Sequence, residues 1–349
     1  MIFDYDAMVK GTCKPYVIAE LGANHNGDME LAKTMIKTAK ECGADCVKLQ
    51  SFQTHSIFSK KVFEDNYFLN DDYRNRTDYT LESIIEKYAL SFEQHHELKA
   101  YCDELGIDFA STPFTHDEVD LLVDELDVPF VKVASMDIDN TPFLAYIASK
   151  GKPVVISTGL CGLDDVNNAI ETLENNGCKQ IVILHCISIY PPADDQVNLN
   201  NIDMLRMNFG YPTGYSDHTF GTMAPIMSLA KNVCCIEKHF TMDKEMVGWD
   251  HKISANPEEL KVICEAAERG PKMMGTYRKV VNENRERREA FLRSIVASRD
   301  IPKGHVITEE DLDYRRPGTG LSPKYHNFLI GKEAKRDISR DELIFLEDF

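Results

Sequence analysis

The sequence predicts an α/β fold, a (β/α)8 TIM barrel followed by a small β-rich domain, on three observations. Between residues 15 and 270, short β-branched runs alternate with longer amphipathic segments, the rhythm of a parallel sheet covered by helices. The runs number eight, which suits a closed barrel better than an open sheet. A doubly wound sheet would carry a G-x-G-x-x-G turn after its first strand, and none is present.

Strands are expected at 16–20, 46–50, 108–111, 130–133, 153–157, 180–185, 213–216 and 235–239. Helical periodicity marks 29–41, 92–105, 117–124, 142–150, 164–175, 221–231 and 257–269. The second of these opens with Ser91 and Gln94 at capping-box spacing. Residues 51–90 carry Phe52, Phe58, Phe63, Tyr67, Phe68, Tyr73 and Tyr79 among many charges and are too long for a plain βα loop. They read as an insertion over the active-site end or an interface arm.

Composition shifts after Gly275. The run Arg285-Glu286-Arg287-Arg288-Glu289 marks a charged linker or exposed helix. Beyond it come short β-like runs and the turns Pro302-Lys303-Gly304 and Arg316-Pro317-Gly318-Thr319-Gly320. The expected organisation is a barrel over 1–280, a linker over 281–293 and a small domain over 294–349. A unit of that size leans on a partner surface for stability.

With 39 Lys plus Arg against 57 Asp plus Glu, the net charge is -18, which disfavours nucleic-acid and anionic-membrane binding. An anionic ligand must then be held by locally placed cations. The ten cysteines include no C-x-x-C pair and read as small core residues rather than zinc ligands or disulfides. No run of about 18 apolar residues spans a membrane. The first 14 residues lack a signal-like pattern, so the expected compartment is the cytoplasm.

In such barrels the active site forms at the C-terminal strand ends. Those ends offer Glu20 and Asn24-His25-Asn26; Lys48 and Gln50; Ser111, Thr112 and Phe114; Lys132, Ser135 and Asp137; Ser157 and Thr158; His185, Ser188 and Tyr190; Ser216, Asp217 and His218; and Glu237, Lys238 and His239. Packing alone does not require eight polar rims, so the convergence points to an enzyme. His218 and His239 end neighbouring strands and serve either as a metal pair or as hydrogen-bonding acid/base groups. With Glu20, Asp217, Glu237 and Asp250 nearby, Mn²⁺ or Mg²⁺ suits the donor set. Lys48, Lys132 and Lys238 each need an anion, whether a substrate phosphate or carboxylate or an acidic neighbour, and a Schiff base is a further option. His25 lies in a tight turn completed by Gly27. Arg315 and Arg316 sit on a turn that is either simply solvated or lends an arginine to a neighbouring site.

These residues resemble the sialic acid (nonulosonic acid) synthase family over nearly the whole chain. The match comprises Ile18-Ala19-Glu20-Leu21-Gly22-Ala23-Asn24-His25-Asn26-Gly27, Ala44-Asp45-Cys46-Val47-Lys48-Leu49-Gln50, Ser111-Thr112-Pro113-Phe114 and Ile156-Ser157-Thr158-Gly159. It continues in Tyr215-Ser216-Asp217-His218-Thr219, Ile236-Glu237-Lys238-His239-Phe240-Thr241 and Arg316-Pro317-Gly318-Thr319-Gly320. Each fragment is weak alone, but seven in order at the expected strand ends are specific.

The resemblance implies that the small domain is antifreeze-like (type III, SAF) and that it caps a partner's pocket in a domain-swapped homodimer. It implies condensation of phosphoenolpyruvate with an N-acylated hexosamine, giving a nonulosonic acid and phosphate. By the same resemblance His218 and His239 hold Mn²⁺ or Mg²⁺, and Lys48, Thr112, Ser135, Ser157, Ser188 and Ser216 line the phosphoenolpyruvate site. Glu20 handles protons, Gln50, Phe114, Asp137, Tyr190 and Asp250 lie near the sugar, and Arg316 comes from the other subunit. N-acetylmannosamine-using members typically carry glutamate where this chain has Asp137, asparagine at Ser188 and proline at Trp249. N-acetylneuraminic, pseudaminic and legionaminic acids therefore all stand as products. The rival readings are a phosphoenolpyruvate-dependent sugar-phosphate synthase, which needs an extra phosphate clamp, and an ice-binding protein, which the charged tail disfavours.

Overall fold

The computed structural model describes residues 2–53, 56–65, 81–276 and 278–349. Residues 54–55 and 66–80 of the expected insertion, including Tyr67, Phe68, Tyr73 and Tyr79, lie outside the described residues. The chain divides into two compact units, Met1–Gly275 and Thr276–Phe349.

The first unit contains the eight expected strands: β1 (Tyr16–Gly22), β2 (Cys46–Gln50), β3 (Asp108–Thr112), β4 (Val131–Val133), β5 (Val154–Ser157), β6 (Ile181–Cys186), β7 (Thr213–Asp217) and β8 (Cys235–His239). Every ladder is parallel, in the order β3-β2-β1-β8-β7-β6-β5-β4. The two ends of that order, β3 and β4, lie side by side and close the barrel. Helical turns form in each of the seven expected segments, and among the described residues of this unit four further helices appear, Tyr5–Lys10, Lys60–Asp65, Leu81–Tyr88 and Asn201–Phe209, the last filling the β6–β7 connection.

Residues alternate across each strand, and the barrel uses both faces. Val17, Ala19, Val47, Leu49 and Ile236 pack outward with Met35, Ile36, Leu260 and Ile263 of the covering helices. Their neighbours Tyr16, Ile18, Cys46, Ala110, Phe130, Val155, Leu184 and Cys235 form a separate apolar layer inside. Two residues further along, the same inward face carries Glu20, Lys48, Thr112, Lys132, Ser157, Cys186 and Glu237, all buried. Period-two alternation thus stacks a charged layer directly on an apolar one. At the opposite end of the barrel, Asp108 accepts hydrogen bonds from the backbone N–H groups of Ile2 and Phe3 and from the Tyr16 hydroxyl.

In the second unit, β9 (Ser294–Ala297) pairs antiparallel with β10 (Leu312–Arg315). Its core is Ile295, Ala297, Ile301, Ile307, Leu312, Leu329, Ala334, Ile338 and Ile344. The charged stretch ahead of it contains the helix Arg285–Phe291. No described helix is long and apolar enough to cross a membrane.

Candidate active site

The charged inner layer is a connected set. Lys48 Nζ lies 2.5 Å from Glu20 Oε2 and 3.7 Å from Glu237 Oε2, and it donates to Thr112 Oγ1 at 3.0 Å. Lys132 Nζ lies 3.8 Å from Glu237 Oε1 and donates to Ser157 Oγ at 2.6 Å. Ser216 Oγ donates to Glu237 Oε1 at 2.9 Å, and Gln50 Nε2 to Glu20 Oε1 at 3.3 Å. Two lysines and two glutamates therefore offset one another inside the barrel, where an unpaired charge would cost several kcal/mol.

Burial sets the protonation tendencies in this layer, and neighbouring charges modify them. Burial pushes Glu20 up to about 7, against the pull of the Lys48 ammonium, with the Glu237 carboxylate adding to the rise. Glu237 is also buried, but Lys132 and Lys48 outweigh that burial and hold it below the ordinary range. Burial would depress Lys48, yet Glu20 and Glu237 keep it above its usual value. Lys132 is lowered because burial exceeds the attraction of Glu237. One carboxylate of the pair thus titrates near neutrality while the other stays ionised, the arrangement that general acid–base chemistry uses.

A second cluster joins the ends of β4, β5 and β6. Ser135 Oγ accepts from the Gly159 N–H at 3.0 Å. A Cβ on Gly159 would stand 2.1 Å from Ser188 Oγ and 2.8 Å from Ser135 Oγ, so any side chain here must push both hydroxyls aside. Hydroxyls of Ser135 and Ser188 close over this backbone, and beside them Ser157 takes its bond from Lys132. Asp137 follows on the short helix Ser135–Asp137, with Oδ2 buried and without a hydrogen bond.

A third cluster is made of rings. His218 and His239 lie 5.4 Å apart by ring centroids, with Tyr190 4.1 Å from His218 and 6.2 Å from His239. His239 Nδ1 is buried without a hydrogen bond and lies 3.8 Å from Asp250 Oδ2. Burial and the nearby His218 and Lys48 hold His239 neutral, far below its usual range. Burial likewise raises Asp250 to about 6. His218 Nδ1 meets the Ile187 carbonyl at 2.7 Å, which places a hydrogen on Nδ1, so Nε2 carries the lone pair whenever the ring is neutral; against burial, the Cys186 thiol and the Ile187 carbonyl raise this imidazole above its usual range. Around Gly22 the clusters meet: a Cβ there would touch Glu20 Oε1 at 3.3 Å, Gln50 Nε2 at 3.5 Å and His239 Cε1 at 3.8 Å.

A model of the NeuB family matches residues 35–279, and a model of the SAF domain matches residues 293–349. The chain belongs to the NeuB family. It is 38% identical to the N,N'-diacetyllegionaminic acid synthase of Legionella pneumophila, over 96% of this chain and 94% of that protein. The pseudaminic acid synthase of Campylobacter jejuni is 32% identical over 96% and 97%. Among solved structures, a spore coat polysaccharide biosynthesis protein of Bacillus subtilis is 31% identical, covers 96% of this chain and 95% of its own, and superposes with a TM-score of 0.65.

In this NeuB-family barrel most of the residues singled out from sequence stand in the three clusters. Phe114 packs instead on an apolar cluster of Ala23, Phe52, Ile85, Tyr88 and Trp249. Arg316 belongs to the second unit, where its guanidinium lies 5.0 Å from the Phe291 ring centroid. Lys238 does not join the anion-holding lysines. It faces outward, paired with Asp217 at 2.6 Å, both wholly buried. Strand alternation explains this, because Glu237 and His239 take the inward positions on β8. The Asn24-His25-Asn26-Gly27 turn is a brace: Asn24 Nδ2 donates to the Phe240 carbonyl and Ser254 Oγ, both at 2.9 Å. His25 Nδ1 accepts from the Gly27 N–H at 3.1 Å, and burial takes this imidazole down to about 4.

Sequence reasoning underrated Glu237, the carboxylate shared by both inner lysines, and overlooked Cys186, whose Sγ lies 3.9 Å from His218 Nδ1. The signal for both was their place in the inward register of β8 and β6.

Proposed function

We propose that this NeuB-family chain condenses phosphoenolpyruvate with the open-chain aldehyde of an N-acylated amino sugar, giving a nonulosonic acid and phosphate. The observation that carries this reading is the buried Glu20–Lys48–Glu237–Lys132 set, flanked on one side by a hydroxyl-lined cradle and on the other by two histidines. Lys132, the hydroxyls of Ser135, Ser157, Ser188 and Ser216, and Lys48 with Thr112 suit a small donor bearing both phosphate and carboxylate. Glu20, Gln50, Tyr190, Asp250 and Asp137 suit the polyhydroxylated acceptor. C3 of phosphoenolpyruvate bonds to the aldehyde carbon, whose oxygen takes a proton. Water then adds at C2 and the C2–O bond to phosphate breaks.

Glu20 is the group for moving a proton at the aldehyde oxygen or at the attacking water, since it is the inner carboxylate raised toward neutrality. Lys48 and Lys132 hold the donor at reacting distance and offset its charge. Two neutral-capable imidazoles, one with a buried nitrogen lacking a partner, fit a divalent ion, although no group of three or more His, Cys, Asp or Glu among the described residues forms a full shell. His218 and His239 would hold Mn²⁺ or Mg²⁺ with substrate and water oxygens completing its coordination. The ion would polarise the aldehyde as a Lewis acid. A cytoplasmic homodimer in which Arg316 reaches the partner's pocket completes the reading, supported by the family resemblance.

The test is phosphate release from phosphoenolpyruvate by purified full-length chain, with mass identification of the product. Release is expected only with an N-acyl amino sugar present, to be lost on chelation and restored by Mn²⁺ or Mg²⁺. Release without a sugar, or with phosphorylated aldoses alone, overturns the reading, and full activity after chelation overturns the metal.

A further inference from the structure

The two sides of the pocket differ in character. Over β4 and β5 the lining beyond the charged layer is serine hydroxyl and backbone N–H, whereas beyond the same layer at β1–β3 stands an aromatic cluster. Ala23, Phe52 and Phe114 follow the ends of β1, β2 and β3 by one or two residues, so their cluster stands on the catalytic rim. Its floor is buried, and Phe114 and Trp249 are half-buried on it. The Trp249 ring lies 6.4 Å from Phe52 and meets Tyr88 edge-on at 5.9 Å. The next residue along the chain is Asp250, whose carboxylate faces His239. The shelf therefore continues directly from the reacting end of the acceptor site.

We propose that Trp249 is a specificity-determining residue, seating the methyl-bearing far end of the acceptor and selecting a 2,4-diacetamido-2,4,6-trideoxyhexose over N-acetylmannosamine. This rests on the proposed condensation and names its sugar class. Both sugars present the same aldehyde and 2-acetamido group. They differ at C4, acetamido against hydroxyl, and at C6, methyl against hydroxymethyl. An aromatic shelf offers the hydroxyls little to replace their lost water, so burying them there is unfavourable. The methyl and the acetyl methyl gain by leaving water against an indole face. One methyl-sized difference in an apolar pocket discriminates by about 10–200-fold.

Trp249 is the chain's single tryptophan, so intrinsic fluorescence reports on this position alone, with or without turnover. In wild-type protein holding phosphoenolpyruvate, the diacetamido sugar is expected to give a saturable change in emission at lower concentration than N-acetylmannosamine does. The ratio of kcat/KM for the two sugars should favour the diacetamido sugar by about tenfold or more. Trp249→Ala should reduce that ratio at least about tenfold through KM for the sugar, and Trp249→Phe should restore most of it. Emission unmoved by saturating diacetamido sugar overturns the proposal, as does a ratio unchanged in both variants. If Trp249→Ala fails to fold, Trp249→Leu and Trp249→Phe carry the same comparison. Saturable emission without phosphate release from either sugar upholds the shelf and defeats the condensation. Phosphate release with silent emission does the reverse.

Discussion

Lys48 Nζ sits 2.5 Å from Glu20 Oε2, with both side chains almost wholly buried, yet burial still lifts Glu20 to about 7. Folding therefore favours the protonated acid relative to an ordinary glutamate. That contribution to stability is full below the ordinary value near 4.5 and is lost as pH rises toward 7. The Tm of wild type should fall relative to Glu20→Gln across that window, as followed by calorimetry. The kcat/KM profile should also carry a limb near 7 that vanishes in Glu20→Gln. Parallel pH profiles in the two proteins would refute the assignment.

Gly159→Ala should fold but bind donor poorly. The new methyl displaces the Ser188 and Ser135 hydroxyls, which are side-chain ends able to rotate away. KM for phosphoenolpyruvate is expected to rise about tenfold or more, with a small change in Tm. Pairing it with Ser188→Gly should recover part of the loss in initial-rate measurements.

Lys238→Met tests the outward placement of that lysine. It strands Asp217 as a buried uncompensated charge and should cost about 3–5 kcal/mol in chemical denaturation. KM for phosphoenolpyruvate in the folded fraction should remain near wild type. A large selective rise in KM would return Lys238 to the donor site.

Arg316→Ala should abolish turnover while leaving the far-ultraviolet spectrum of the chain unchanged. Mixing it with a Glu20→Gln chain separates two geometries. If Arg316 serves the partner's pocket, mixed dimers regain part of the wild-type rate; if it serves its own, they do not.

The eight strands were legible because short runs with apolar or β-branched residues alternate with helical segments and turn residues: Cys235–His239 has the expected bounds, and Ile181–Cys186 lies one residue on from the expected 180–185. Asn201–Phe209 was not, because Ile202 and Leu205 are its only buried positions and Met207 points to solvent, leaving a weak period. The segment predicted as a single helix over 117–124 is instead a helix, His116–Asp120, running into a wider turn, Leu121–Glu125, a change of winding that apolar spacing does not encode. Within the site, rim residues such as Lys48 and Ser157 were visible from position alone. The direction of Lys238 followed from counting inward positions back from His239, and composition could not supply it.

The division of the pocket also has an evolutionary consequence. The hydroxyl cradle is borne by the ends of β4, β5 and β6, and the aromatic shelf by segments after β1, β2, β3 and β8. Gly159 with its serines and Trp249 with its aromatic neighbours are thus inherited on different stretches of polypeptide. On the proposed role of Trp249, a lineage could exchange one sugar for another by altering the loop around that residue while leaving Gly159 and its serines untouched.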